Sequence, residues 1–288
     1  MNRLRIFALV VVLFFPILFL SCSSTQKGDD SSSGSTGIDS DANQAASLAV
    51  VSVVMHIETG QRPDVDSLIS AFEKLGSAGI PVSFGADYEW LTGESRASEV
   101  LQAVVDNGGT LDIHWHESLI NNRADNANAI LELGFEPSYV ASGYTADDED
   151  ELNSLIVPNQ AGVSWQAEYK WGLAEPGHVS NDTSWGITRD EGSIPQIGGG
   201  ANSIASAINM VKQVENGDYP HMLLTCSINL QPLTLTVVGG TDNVDDIIDF
   251  KTVADGAGAL LLTLQAVGEL ADTSYPGQDS RVEGVSDK

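Results

Sequence analysis

His114 and His116 are separated by one residue and followed at once by Glu117, and His56 and Glu58 repeat the same alternate spacing nearer the start of the chain. In an extended strand alternate side chains project from one face, so each pair would present its polar groups together. Two imidazoles and a carboxylate, with a coordination position left open, are the usual ligand set of a catalytic zinc or a similar divalent ion. Such an ion polarises a carbonyl and lowers the pKa of water toward about 7. The expected ligands are His114, His116 and Glu58. Glu58 and Glu117 are the candidates for general base, and either is free to serve as a ligand instead. The competing reading is a hydrogen-bonded structural histidine, which is the expectation for the isolated His178 and His221. It weighs less for His114 and His116, because of their spacing, the adjoining acid and the matching pair at His56 and Glu58.

These residues need strands that end at a common rim. "LAVVSVVMHIE" (48–58) is too continuously apolar for a strand with one wet face and reads as a strand buried on both sides. "DVDSLISAFEKLGSAG" carries Leu68, Ile69, Phe72 and Leu75 at helical spacing, with Asp64 or Asp66 at its start. "IPVSFGA" predicts a second strand, "SRASEVLQAVVDNGG" a helix, "TLDIHW" a third strand, "NRADNANAILELG" a helix and "PSYVASG" a fourth strand. Successive β-then-α units imply parallel strands joined by right-handed crossovers. Further along, "GVSWQAEY" predicts a strand, 171–200 long loops, "ANSIASAINMVKQVENG" a helix and "HMLLTCSINL" a strand. "NVDDIIDFKTVADG" then predicts a helix and "GALLLTLQAVGEL" a strand running into a short helix. About seven such units in one domain suggest an α/β barrel more than an open sheet. In parallel folds of this kind functional groups gather where strands end, which brings Asp87, Glu89, Tyr144 and Asp147 to the rim shared by the two histidine pairs.

Residues 1–21 combine Arg3 and Arg5 with an apolar run from Ile6 to Leu20, the pattern of a signal peptide and too short for a comfortable membrane span. Leu20-Ser21-Cys22 resembles the lipobox of bacterial lipoproteins, with Phe19 where leucine is usual, so Cys22 is the expected lipidation site. An ordinary leader cut near Ser21 is the alternative. Residues 22–47 form a Ser, Gly and Asp-rich linker with too little apolar surface to offset the entropy of ordering. A domain over 48–275 and a polar tail over 276–288 complete the expected organisation. With Cys226 as the only other cysteine, lipid on Cys22 leaves no disulfide framework. The expected location is the bacterial cell envelope, anchored by lipid, with Ser23 after the cysteine favouring the outer membrane. A net charge of −27 repels nucleic acid and anionic bilayers, so nucleic acid is excluded as a partner and the membrane enters only through the lipid. The oligomeric state leaves no trace in the sequence.

Trp165, Tyr169, Trp171 and Trp185 lie among Gly, Asn and Asp. Aromatic faces beside short polar groups suit sugar rings, and Trp165, Trp171 and Trp185, with Glu89 and Tyr144, are the candidate carbohydrate contacts. Anchoring of loops onto the domain is an equal alternative for the aromatics. The glycines at 198–200 read as a tight turn, since no lysine accompanies them to make a phosphate cradle.

"VVMHIE", "AGIPVSFGADYEWL", "NGGTLDIHWHES", "LGFEPSYVASGY" and "SIPQIGGG" occur in the order of the motifs of polysaccharide deacetylase-like proteins of the NodB-homology type, and the chain resembles their divergent secreted branch over roughly residues 50–230. The resemblance implies a single distorted (β/α)7 barrel, an N-acetylated glycan as substrate, removal of acetyl groups, and zinc or a similar divalent ion held at His114. The chain departs from that pattern at four places. Glu58 stands where two adjacent aspartates are usual, and Ser118 lies four residues after His114 where a second histidine is usual. No arginine follows the fourth strand, and the strand over 221–230 has its histidine, His221, at its start and none at its end. A barrel without hydrolytic activity that binds glycan at the cell surface is the alternative function.

Overall fold

The computed structural model describes residues 45–114, 122–144, 165–172, 185–189, 194–198 and 201–282. The chain separates into Met1–Ala42 and Asn43–Lys288, and every described residue belongs to the second part. The proposed leader, Cys22 and most of the linker therefore lie outside the described residues. No described helix is long and apolar enough to cross a membrane.

β1 (Leu48–Ile57) is buried along nearly its whole length, as its unbroken apolar character predicts. Its alternate residues serve two cores. Val51, Val53, Met55 and Ile57 pack outward against helices, while Val50 and Val54 pack into the barrel. α1 (Val65–Ser77) starts where the Asp64 carboxylate accepts the Ser67 N–H at 2.8 Å, and buries Leu68, Phe72 and Leu75. There follow β2 (Val82–Ala86), α2 (Tyr88–Gly93), α3 (Ala97–Asp106), β3 (Thr110–His114), α4 (Arg123–Glu132) and β4 (Val140–Tyr144). Each of these strands runs parallel to its neighbour. The short α2 was not predicted, since the expected helix began at Ser95.

The stretch read as long loops instead carries β5 (Tyr169–Gly172), β6 (Trp185–Thr188) and β7 (Gln196–Ile197). β5 begins where the strand predicted over 162–169 was expected to end. These strands are too short, and too rich in Gly and Trp, to show a periodicity. Next come β8 (Ala201–Asn202), α5 (Ile204–Glu215), β9 (Leu223–Asn229), α6 (Val244–Gly256), β10 (Leu260–Leu261), α7 (Leu264–Ser274) and β11 (Ser280–Val282).

The strand order is β11-β6-β7-β5-β4-β3-β2-β1-β9-β8, with β10 paired to β1. From β7 to β8 every neighbouring pair is parallel, so eight strands curl into a nearly closed α/β barrel, which the antiparallel β6 and β11 extend. The Thr225 hydroxyl on β9 donates to the Gly186 carbonyl at 3.0 Å, with the Gly198 carbonyl oxygen 3.2 Å away, tying β9 to the β6 and β7 side.

The end of the barrel where strands begin is covered by α7, whose Leu264, Val267 and Ala271 pack among Val50, Leu223 and Tyr169. The first described residues are fastened at the same end: Tyr275 Oη donates to the Ala46 carbonyl, and Ser47 Oγ to the Tyr219 carbonyl, each at 2.5 Å. Of the segment expected to be a polar tail, residues 276–282 are described. Tyr275 is buried, the Gln278 side chain bonds both the N–H and the carbonyl of Leu223, and β11 pairs with β6.

Candidate metal centre

At the opposite end, where the parallel strands finish, alternation along β1 turns Val54, His56 and then Glu58 to the barrel axis, and β3 delivers His114. Between them runs β2, with Gly85 in register with His56. A Cβ at position 85 would lie 2.6 Å from His114 Cβ and 3.1 Å from His56 Cδ2, so glycine here is what lets residues of β1 and β3 meet across the intervening strand. The two imidazoles stack with centroids 4.1 Å apart and planes inclined by 23°. His56, Glu58 and His114 each offer a ligand atom, all within 4.8 Å of one another.

Burial grades the three. His114 is 1 % exposed and Glu58 31 % by side chain, and His56 is 6 % exposed as a residue. The imidazoles thus form the floor, and Glu58 faces the solvent side. Glu58 Oε2 is 3.1 Å from His114 Nε2. The other ring nitrogen, Nδ1, is 3.2 Å from the Ser142 carbonyl oxygen. The Ser142 carbonyl and an ionised Glu58 carboxylate both only accept, so a neutral ring donates to one of them, from Nδ1 to the carbonyl or from Nε2 to the carboxylate, and a protonated ring donates to both.

The surroundings fix this arrangement. Trp171 on β5 meets His56 edge-on with ring centroids 5.3 Å apart, and its Nε1–H donates to Ser227 Oγ at 3.1 Å. Asn126 on α4 is fully buried and donates through Nδ2 to the carbonyls of Ala86, at 2.9 Å, and His114, at 3.0 Å, clamping the ends of β2 and β3 together. Asp87 caps α2 at the same rim. Deeper in the barrel Asp112 accepts from Ser138 Oγ at 2.7 Å and Thr110 Oγ1 at 3.0 Å. Burial pushes its pKa up to about 7, against the opposing pull of the Ser138, Thr110 and Ser83 hydroxyls.

Of the expected ligands, His114 and Glu58 lie together in the structure. His116 and Glu117 lie outside the described residues, and the second imidazole of the described cluster is His56. Sequence reading placed His56 at the right rim but not among the ligands; the available signal was a His-x-Glu pair ending one strand beside a neighbouring strand that carries glycine. Glu89 is exposed on the first turn of α2. Tyr144 ends β4, and its side chain lies outside the described residues.

The tryptophans stand elsewhere than on a sugar platform. Trp171, 2 % exposed, and Trp185, 0 % exposed, have no ring face open to solvent and serve as packing within β5 and β6. Trp165 is half-buried and donates its Nε1–H to the Ser138 carbonyl at 2.9 Å, ahead of β4 and so at the strand-start end of the barrel. Of the two readings weighed for these aromatics, their positions match anchoring. His221 is likewise at the strand-start end, exposed, with Nδ1 3.1 Å from the Ala45 carbonyl oxygen. His178 lies outside the described residues.

No family model matches the chain, and no curated protein matches it. Among solved structures it is similar to a Mycobacterium smegmatis protein carrying the provisional name polysaccharide deacetylase, at 13% identity and a TM-score of 0.48, over 79% of this chain and 91% of that one. It is also similar to the YdjI aldolase from Escherichia coli K12, at 10% identity and a TM-score of 0.25, over 62% of this chain and 66% of that one.

Proposed function

We propose that the chain is a metal-dependent hydrolase acting on carbohydrate, with His56, Glu58 and His114 holding a divalent ion, zinc by its donor chemistry. The observation that carries this reading is the His114 ring. In the tautomer that donates from Nδ1 to the Ser142 carbonyl, the Nε2 lone pair, the Glu58 carboxylate and the neighbouring imidazole bring electron density to one spot, an arrangement a cation resolves.

A bound divalent ion supplies an electrophile for a carbonyl oxygen and acidifies water. The protein's own contribution follows from burial. His56 and His114 hold position from the floor, while Glu58, the most exposed of the three, is the group able to take a proton from water on the open side. The substrate class, an N-acetylated glycan, rests on the sequence motifs that resemble polysaccharide deacetylases. In such a reaction water adds to the amide carbonyl carbon, the C–N bond breaks, acetate leaves and the sugar amine takes up the proton. The envelope location and the lipid on Cys22 belong to the same proposal, supported by the apolar run Ile6–Leu20 and by Leu20-Ser21-Cys22.

The test is a Zn2+ titration of chelator-treated protein, alongside acetate release from an N-acetylated oligosaccharide. We expect tight binding of one ion, and His56→Ala and His114→Ala each to weaken it beyond the roughly 10- to 100-fold that loss of an outer-shell partner costs, with loss of turnover. Unaltered affinity in both variants removes the proposed centre. A wild-type protein that binds no ion but retains oligosaccharide identifies His114 and Glu58 as a plain ion pair and leaves the glycan-binding alternative.

A further inference from the structure

β4 is irregular at the point where it passes His114. Ala141 and Ser142 pair with Lys170 and Trp171 of β5, yet the next pair is Tyr144 with Gly172, so Gly143 is an extra residue in the strand. It adopts φ +73°, the left-handed region that side chains other than glycine resist. A Cβ built on Gly143 would collide with Nδ1 and Cε1 of His114. On the other side, Ser142 is the last residue of β4 in register with β3, and its partner is His114 itself. Beyond that pair the Ser142 carbonyl is engaged by the His114 ring.

We infer that Gly143 is a positioning residue: its bulge aims the Ser142 carbonyl at His114 Nδ1 and leaves the bare backbone against which that ring lies, fixing the tautomer whose Nε2 is available to an ion. The inference deepens the metal-centre reading and rests on it for its functional meaning, but the tautomer itself is a property of the protein without metal. Two requirements meet at one glycine. The backbone must turn left-handed so that the strand gains a residue, and no side chain can stand where the imidazole lies. Ser142 contributes only its main chain to this contact, so its identity matters less than that of its neighbour.

The decisive comparison is Gly143→Ala against Gly258→Ala in the full chain. Gly258 has φ +71° and open space around its would-be Cβ, so its substitution imposes the same backbone strain with no ring to displace. Both variants should lose thermal stability, Gly143→Ala the more because its Cβ also meets the His114 ring. Only Gly143→Ala should lose Zn2+ affinity, by about 10- to 100-fold, the usual cost of disturbing the partner that orients a ligand histidine. Equal Zn2+ affinity in the two variants overturns the inference.

A second measurement stands even if Gly143→Ala does not fold. Nitrogen-15 imidazole spectra of metal-free wild-type protein, assigned by loss of one ring system in His114→Gln, should show the neutral His114 ring protonated at Nδ1. A ring protonated at Nε2 overturns the inference. If wild-type protein takes up no Zn2+ while Nδ1 is protonated, the metal reading fails and the positioning stands.

Discussion

Asp112 shows how strongly a single residue is governed by its place in the barrel. Its carboxyl is fully buried, and the resulting rise in pKa to about 7, from 3.8, means that the folded protein keeps a proton which the unfolded chain has already released. Stability from this group is therefore present below about pH 4 and is lost as pH rises from about 4 to 7, with no further change above. Asp112→Asn, which cannot titrate, should flatten that decline by an amount on the order of a few kcal/mol. Urea unfolding of both proteins across the interval provides the check, and parallel profiles would show that the carboxyl is already ionised in the folded state. At this scale the sequence was legible where chemistry and spacing lay on one strand. His114 and Glu58 were named because alternation puts functional groups on one face. His56 was passed over as a ligand because its partnership depends on the register of β1, β2 and β3 and on the absence of a side chain at Gly85, which no single segment reveals.

Elements were readable in proportion to their length. β1, α1, α3, α5 and α6 carry clear periodicity or caps, whereas β5, β6 and β7 have four, four and two residues and derive their strand character from pairing with neighbours. Their tryptophans were as consistent with sugar contacts as with packing, because exposure is a tertiary property. α7 illustrates a second kind of hidden constraint. Its Gly268 lies against the Tyr169 ring, and a Cβ there would sit 2.5 Å from the ring atoms Cδ1 and Cγ. Helix propensity alone favours alanine over glycine by about 1 kcal/mol. Overpacking at this contact reverses the sign, and Gly268→Ala should destabilise by about 1 to 3 kcal/mol, read as a lower thermal midpoint. A raised midpoint would show that α7 is loosely seated on the barrel.

For the molecule as a whole, order and ligand are linked. An ion that binds only the folded barrel adds about 2.7 kcal/mol at a free concentration of 100 times Kd. For a domain of this size that corresponds to roughly 5 to 10 °C in thermal midpoint. Calorimetry with Zn2+ and then with excess chelator should show the rise and its reversal, and His114→Ala should show neither. A rise that survives in His114→Ala would locate the ion elsewhere on the acidic surface. The barrel was anticipated from successive β-then-α segments, but its closing strands were not, since they are contributed by the least periodic stretch of the chain. The fastening of Ala45, Ala46 and Ser47 to Tyr219, His221 and Tyr275 gives the molecule a polarity. A bead coupled at Ala45 itself would stand at the end covered by α7 and leave the histidine mouth turned toward the bathing solution, open to polymers too large to slip underneath.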